Sequence, residues 1–429
     1  MRHYGLCRGD SAWCAFGMRP GVLALAFATW IVSADAQRLY WLGSIGGDGG
    51  FVQHISNNGV AVGYIRDAAG TDKPFVWDST NGLRLLPTLG GTYGSAFHCT
   101  PDGLRIVGYA ANESGVQRAV LWQTTDGVNY TVADLGTLGG SGGAALGISP
   151  DGNYITGWMS TVSNTLGAFL YDVRNRTRFG LGTLGGTHSI GRRVTVVDGI
   201  IVVSGSAQIT GNVYRPFRWT SNNNQIVNLG SPFGHSGGAF VYDMSHDGLT
   251  IIGEAQVTSD RSGSYRWHNG SFSRISEPPN FSRNSAVYEV SADGNIVVGF
   301  ARNSFGYPTA IRWTNGVGTQ NLNEVYRDLL EGGYLTSALA ISPNGRYIGG
   351  FGYNAATTRY EPYVLDTQAC VPHRGDVDNS GCVDDADLLA VLFAFGNTGS
   401  NLGRVDVNCD QTVDDADLLQ VLFNFGSGC

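Results

Sequence analysis

Asp376, Asp378, Ser380, Cys382, Asp384 and Asp387 stand at positions 1, 3, 5, 7, 9 and 12 of one stretch, and Asp406, Asn408, Asp410, Thr412, Asp414 and Asp417 repeat that spacing 30 residues later. Odd-numbered positions of a tightly coiled loop point inward, so the pattern gathers side-chain oxygens around one point, with the backbone carbonyl of position 7 added to them. A hard cation that takes roughly six to eight oxygens suits such a set, and calcium is the ion expected. At these positions each loop supplies four carboxylates, which repel one another unless an ion neutralises them. Two calcium ions are therefore expected, and folding of this tail is expected to need them.

Nearly the same apolar helix follows each loop: Asp384-Asp-Ala-Asp-Leu-Leu-Ala-Val-Leu-Phe-Ala-Phe-Gly396 and Asp414-Asp-Ala-Asp-Leu-Leu-Gln-Val-Leu-Phe-Asn-Phe-Gly426. No helix is expected before either loop, because Pro372 and Gly375 crowd the first and Gly399 to Gly403 the second. A loop followed by a helix, twice, with Asp at position 12, resembles a type I dockerin. The resemblance implies a small α-helical calcium-loop module over residues 369–429, the twelve residues above as ligands, and a cohesin-like or other surface protein as partner. Two departures stand out. Position 6 is Gly381 in one loop and Gln411 in the other, where left-handed backbone costs an L-residue about 1 kcal/mol, so the second site is expected to be weaker. Positions 10 and 11 are Asp385-Ala386 and Asp415-Ala416, not the small hydroxylated pair of many cellulosomal dockerins.

The segments Leu388 to Phe395 and Leu418 to Phe425 are apolar on nearly every face, more than a module of this size buries. Either a partner covers them or the flank of the preceding domain does. Four cysteines, Cys370, Cys382, Cys409 and Cys429, lie in the tail and permit three pairings; a Cys370–Cys429 clasp of the module's ends is the one expected. Cys99 is expected to be a buried free thiol.

The elements that carry this tail repeat a unit typified by Ile148-Ser-Pro-Asp-Gly-Asn-Tyr-Ile-Thr-Gly157. Copies run Ile55 to Gly63, Cys99 to Gly108, Ile148 to Gly157, Val196 to Gly205, Met244 to Gly253, Val290 to Gly299 and Ile341 to Gly350, with closing glycines 45, 49, 48, 48, 46 and 51 residues apart. That is the period of a four-stranded propeller blade. Asp-Gly or Asn-Gly supplies the positive φ of a tight hairpin, flanked by alternating apolar residues. An aromatic third strand follows, as in Phe75-Val-Trp77 and Phe217-Arg-Trp219, and then a fourth strand entering a glycine corner, as in Leu135-Gly-Thr-Leu-Gly-Gly140. Leu39 to Gly47 is a fourth-strand piece with no blade before it, and the seventh copy ends at Asp366 without one. The fold expected is therefore all-β, a seven-bladed β-propeller over residues 37–368 closed by its N-terminal strand, with no sheet edge left open. With Ser-Pro-Asp-Gly, Gly167-Ala-Phe-Leu170 and Leu-Gly-Thr-Leu-Gly-Gly, residues Leu39 to Asp366 resemble the extracellular repeats named HAF after a His-Ala-Phe tripeptide, whose His is missing here. The resemblance implies a secreted, propeller-like protein and little about activity.

Arg2, Arg8 and Arg19, the apolar run Val22 to Val32 and Ala34-Asp-Ala36 read as a secretory signal peptide over residues 1–36, with Met18 as an alternative start. The run is too short to span a membrane, and no other approaches that length. An extracellular or cell-surface location of bacterial type follows. Glycine is abundant, at 63 of 429 residues, and charge is sparse, at 14%, so there is no basic footprint for nucleic acid. From Cys370 onward two Arg against ten Asp give −8, the whole chain's net charge. Ser276 to Ser282 and a short helix over Asn323 to Glu331 interrupt the blade rhythm and are places for ligand contacts or mere decoration.

Glu254, Glu289, Asp243 and His98 fall near blade strands, but no recurring His/Glu/Asp constellation is visible and no catalytic residue is assigned. Two functions remain. One is a binding or display protein, its propeller recognising a glycan or a protein and its calcium module docking. The other is an extracellular glycan-degrading enzyme, a hydrolase or lyase of polysaccharide, a reading that rests on analogy.

Overall fold

The computed structural model describes residues 37–429 apart from 260, 280, 304, 368–373, 379, 399–401, 409 and 411. The signal segment, Cys370, Cys409, Gln411 and the boundary at 368/369 lie outside the described residues.

Seven four-stranded antiparallel sheets follow one another. In six of them the chain runs from inner to outer strand in sequence order. The seventh takes its outer strand from the N-terminus: Arg38–Trp41 pairs with Arg359–Asp366, Leu39 opposite Leu365 and Trp41 opposite Tyr363. The expected closure is thus present, and Arg346 adds a forked ion pair to Asp366 at 2.9 Å on each arm.

The turn residues explain the repeat. Ser149 Oγ donates to Asp151 Oδ1 at 2.5 Å and accepts the Tyr154 N–H at 2.9 Å, while Gly152 takes φ +71°. The serine therefore satisfies donors that the hairpin would otherwise orphan. The closing glycine has a different cause. A Cβ on Gly157 would lie 2.0 Å from Ala144 O, and one on Gly350 1.9 Å from Ser337 O. Each inner strand has a register shift beside this glycine, and only a residue without a side chain lets the second strand pass the bulge.

The core lies between blades. Val62, Val76 and Leu86 of the first blade pack with Ala96, Cys99, Ile106 and Trp122 of the second, and Trp122 Nε1 donates to Pro87 O at 2.7 Å. Phe75, Phe169, Phe217, Tyr265 and Tyr363, from the third strands, are fully buried, each worth roughly 1.5–3 kcal/mol over exposure. Cys99 is a free, buried thiol as expected.

The tail holds helices at Asp385–Ala394 and Asp415–Phe423. They begin three residues earlier than Leu388 and Leu418, because Asp384 and Asp414 cap them in reciprocal boxes with Asp387 and Asp417 and acidic first turns suit the helix dipole. A short 3-10 turn, Gly403–Val405, precedes the second loop, where no helix was expected. Val377, Val383, Val391, Val407, Val413 and Val421 form one small core. Among the described residues no helix is long and apolar enough to cross a membrane.

Candidate functional site

Each inner strand resumes its register, just past the bulge, with one residue that faces the propeller axis: His54, His98, Gly147, Arg193, Asp243, Glu289 and Ala340, in blade order. Five of the seven are polar, and they assemble into one buried network. His54 Nδ1 lies 2.5 Å from Glu289 Oε1. Arg193 Nη2 donates to that same oxygen at 3.2 Å, and Nη1 to Leu146 O at 2.8 Å. Arg193 Nε sits 2.5 Å from Asp243 Oδ1 as an ion pair, off the direction a hydrogen bond needs.

The acceptors also tie each blade to the next. Asp243 Oδ2 accepts the Val290 N–H and Glu289 Oε2 the Ile341 N–H, both at 2.7 Å, and His98 Nδ1 faces the Ile148 N–H at 3.5 Å. Burial pulls the His54 pKa down, yet the Glu289 carboxylate, with Cys99 alongside, lifts it to about 10. His98, stacked 3.8 Å from His54, is driven well below the usual histidine range by burial and by the charges of His54 and Arg193. Burial raises Asp243 to about 6 against the pull of Arg193. Along its contacts the network runs His54, Glu289, Arg193, Asp243, a basic group against a carboxyl at each step, with His98 against His54.

His54, His98 and Glu289 each bring one ligand-type atom within 4.8 Å of the others, and His54 Nε2 has no hydrogen-bond partner. Among the described residues, those three side chains are the group at the axis that could hold a metal. As arranged, Glu289 is already shared between two cations, so the ring is charge-compensated without one. No His/Glu/Asp constellation recurs from blade to blade, but single residues of five blades assemble one at the axis, which the sequence reading did not foresee. His98, Asp243 and Glu289 meet at the axis with His54 and Arg193, which sequence reasoning missed. Glu254 stands apart, its Oε2 accepting from Tyr242 OH at 3.3 Å.

Above the ring lies an axial cavity of about 280 Å³, walled by the preceding residue of each inner strand, including Gln53, Arg192, Tyr242, Tyr288 and Leu339. It shares Tyr242 with a cavity of about 640 Å³ on one side, lined also by Tyr214, Phe240, Glu254 and Arg261. On the other side it shares Phe51, Tyr288 and Leu339 with a cavity of about 620 Å³ lined by Phe300, Arg302, Tyr307, Tyr334, Phe351 and Tyr360. The three make one groove across a face of the propeller. Its aromatic rings contact one another along the way: Tyr214 with Phe240 at 5.1 Å, Tyr242 with Tyr288 at 5.4 Å, and Phe51 with Phe351 at 4.8 Å. The inserted helix, Leu322–Val325 with a 3-10 turn behind it, borders this groove, with Asn321 and Asn323 in its wall. Asn323 is held by both backbone groups of Leu335. In the other insertion Glu277 Oε1 accepts from Ser285 Oγ at 3.1 Å, while Asn280 lies outside the described residues.

In the tail the structure brings carboxylates of Asp376, Asp378 and Asp387 within 4.8 Å, and likewise those of Asp406, Asp410 and Asp417. Asp387 Oδ1 accepts the Val377 and Asp378 N–H groups and Oδ2 that of Asp384; Asp417 accepts those of Asn408 and Asp414. Asp384 and Asp414 face the helix starts as caps, Ser380 Oγ donates to Cys382 O at 3.0 Å, and Thr412 N donates to Asp410. Cys429 pairs with Cys382, Cα to Cα 4.6 Å, which corrects the expected Cys370–Cys429 clasp. The cause is the backbone: Val383 N donates to Ser427 O at 3.0 Å and Gly426 N to Val383 O at 2.8 Å, which lays the last residues against the first loop. Phe393 and Phe423 are 86% and 83% exposed, so the propeller's flank does not cover them.

No protein-family model matches the sequence, and neither does any curated protein. Among solved structures, the oligogalacturonate lyase of Vibrio parahaemolyticus is similar with a TM-score of 0.50 at 12% identity, over 78% of this chain and 95% of that one. The β-propeller domain of the Trilobed protease from Pyrococcus furiosus gives 0.49 at 12%, over 77% and 95%. TolB of Acinetobacter baumannii gives 0.39 at 16%, over 69% and 76%. At these identities the likeness is one of fold, and the chain is a seven-bladed β-propeller with a short C-terminal extension.

Proposed function

We propose that this is a secreted binding protein whose propeller holds an extended glycan chain in the cross-face groove, while its tail binds two calcium ions and docks to a surface protein. The observation that carries the first part is the groove: three joined cavities whose walls present aromatic faces at intervals. Sugar rings stack their C–H faces on such rings, and the polar groups between them serve the hydroxyls. Tyr307, Tyr334 and Tyr360 are 68%, 40% and 45% exposed, an arrangement suited to ligand contact more than to core packing. Turnover of the glycan is the weaker reading. Asp243 and Glu289 are buried and spent on Arg193, His54 and backbone donors, which leaves them poorly placed to exchange protons with a sugar.

The tail reading rests on the duplicated oxygen pattern and on carboxylates converging in both loops. Its exposed apolar helices supply a surface for a protein partner.

The test is retention of the protein on a panel of immobilised polysaccharides. Tyr334→Ala with Tyr360→Ala is expected to weaken retention at least about ten-fold, with no sugar product released by the unaltered chain. Unchanged retention in the double variant would overturn the groove assignment, and release of shortened products would restore the enzyme reading.

A further inference from the structure

The wall of the axial cavity contains two charged side chains, Arg192 and Arg193. Arg193 is neutralised, since its donors go to Asp243, Glu289 and backbone carbonyls. Arg192 is not. Its guanidinium lies 5.6 Å over the Tyr242 ring, and among the described residues it makes no hydrogen bond and no ion pair. Burial depresses its pKa, and the adjacent Arg193 charge adds to the effect. Glu254, the carboxylate in the adjoining wall, is held by Tyr242 OH and does not reach it. The Gln53 side chain, also without a hydrogen bond among the described residues, lines the same cavity.

A guanidinium carries five N–H donors in a planar fork, and leaving them unmatched in a partly desolvated place is costly. Some arginines of the chain are compensated, Arg84, Arg118 and Arg346 each meeting a carboxylate. At Arg192 the protein supplies an aromatic plane behind the fork and empty space in front of it. That is half of a carboxylate site, and the ligand would bring the other half.

We infer that the axial cavity is an anion subsite in which Arg192, backed by Tyr242 and flanked by Gln53, takes a carboxylate of the chain lying in the groove, so that the ligand is an acidic, uronate-containing oligosaccharide. This rests on the groove reading above and narrows it. Arg261 and Arg302 line the adjoining cavities, also without a carboxylate partner among the described residues, but three separate arginines are not the continuous basic stripe that a polyanion surface would need.

The experiment is calorimetry on the full chain with oligomers of glucuronate, galacturonate and mannuronate, each against its methyl ester, and with monomeric glucuronate. The acid form of at least one backbone should bind about ten- to hundred-fold tighter than its ester. Arg192→Gln should bring the acid down to the ester's affinity and leave the ester unchanged, while Arg192→Lys keeps part of the preference. Equal binding of acid and ester, or a preference that survives in Arg192→Gln, overturns the anion subsite and leaves the groove standing. Arg192-dependent binding of glucuronate without any oligomer bound supports the subsite and removes the groove reading. No binding of monomer or oligomer overturns both. Should Arg192→Gln fail to fold, the acid-to-ester comparison on the unaltered chain and the Arg192→Lys variant still decide.

Discussion

The propeller and the tail are both built by repetition, but repetition serves opposite ends in them. In the propeller the repeated residues, such as Ser149, Asp151, Gly152 and Gly157 with their equivalents, spend themselves on turns and strand crossings. Its polar ring sits in an inner-strand column that varies from blade to blade, His, His, Gly, Arg, Asp, Glu and Ala. In the tail the repeated residues are the ones proposed to do the chemistry, and each loop gathers three carboxylates, at positions 1, 3 and 12 in the first and 1, 5 and 12 in the second. A site spread one residue per repeat is asymmetric and singular; a site contained within one repeat is duplicated with it. The ring of the propeller ties its blades together and floors a groove, whereas the tail loops are proposed to hold ions.

The largest test of this contrast is Glu289→Ala. Removing that carboxylate takes the counter-ion from buried His54 and leaves Arg193 with Asp243 alone, and loss of one partner of a buried pair costs about 3–5 kcal/mol. Thermal and denaturant unfolding should show the propeller falling by that amount while calcium titration of the same variant is unchanged; a loss below 1 kcal/mol would mean that the ring is ornament. The same ring sets a pH dependence. His54 is raised to about 10 in the folded state from 6.5, so the folded state holds more protons between those values. Stability is then fully present below pH 6.5 and falls as pH rises toward 10, with a slope of up to about 1.4 kcal/mol per unit. His98 and His246, both lowered by burial, act with the opposite sign below pH 6.5, so the alkaline limb is the clean one. His54→Gln should flatten it, and a limb of undiminished slope in that variant would assign the dependence elsewhere.

The contrast also explains what could be read in advance. Turn residues, blade period and closure were legible because backbone geometry demands the same residue types in each copy; the missing fourth strand at Leu39 to Trp41 announced its own partner at Tyr363 to Leu365. The axial ring was not legible as a pattern, because a column that varies leaves no motif. One signal existed: His54, His98, Asp243 and Glu289 all stand two residues before the Ser or Thr that opens a turn, so aligning copies on that hydroxyl would have stacked them. The cross-face groove is set by the column beside it and by second-strand and loop aromatics such as Phe351 and Tyr307, which sequence order scatters. The convergence of carboxylates in each tail loop was legible from spacing. The cysteine pairing was not, because it follows from the Val383 and Ser427 ladder, a tertiary contact.

A smaller effect is expected from the tail's crosslink. Cys382 and Cys429 close a span of 47 residues, and in the chain-entropy account such a loop contributes at most about 4 kcal/mol, with 2–4 typical. The double variant Cys382→Ser with Cys429→Ser keeps the backbone carbonyl at position 7. It should lower the unfolding midpoint of the tail and weaken calcium binding only through that loss of order, leaving propeller unfolding as it was. A propeller midpoint that moved with the tail's would dissolve the contrast between two independent repeats.

The smallest effect tests the duplication within the tail. Gly381 holds position 6 of the first loop at φ +90°, and nothing lies within 4 Å of where its Cβ would be. Gly381→Ala therefore meets no clash and pays only the left-handed backbone penalty, about 1 kcal/mol, or roughly five-fold in calcium affinity at that site. Gln411 occupies the matching place in the second loop, and Gln411→Gly should gain about the same factor there. Calorimetric calcium titration of the full chain resolves the two sites if they differ as proposed, and the variants should shift them in opposite directions. Should Gln411→Gly leave its site unchanged, the second loop does not need positive φ at position 6, and the two loops would differ in backbone path as well as in sequence. Should both shifts appear, the asymmetry of the tail comes down to one residue, and the weaker loop is the one whose occupancy answers to calcium concentration.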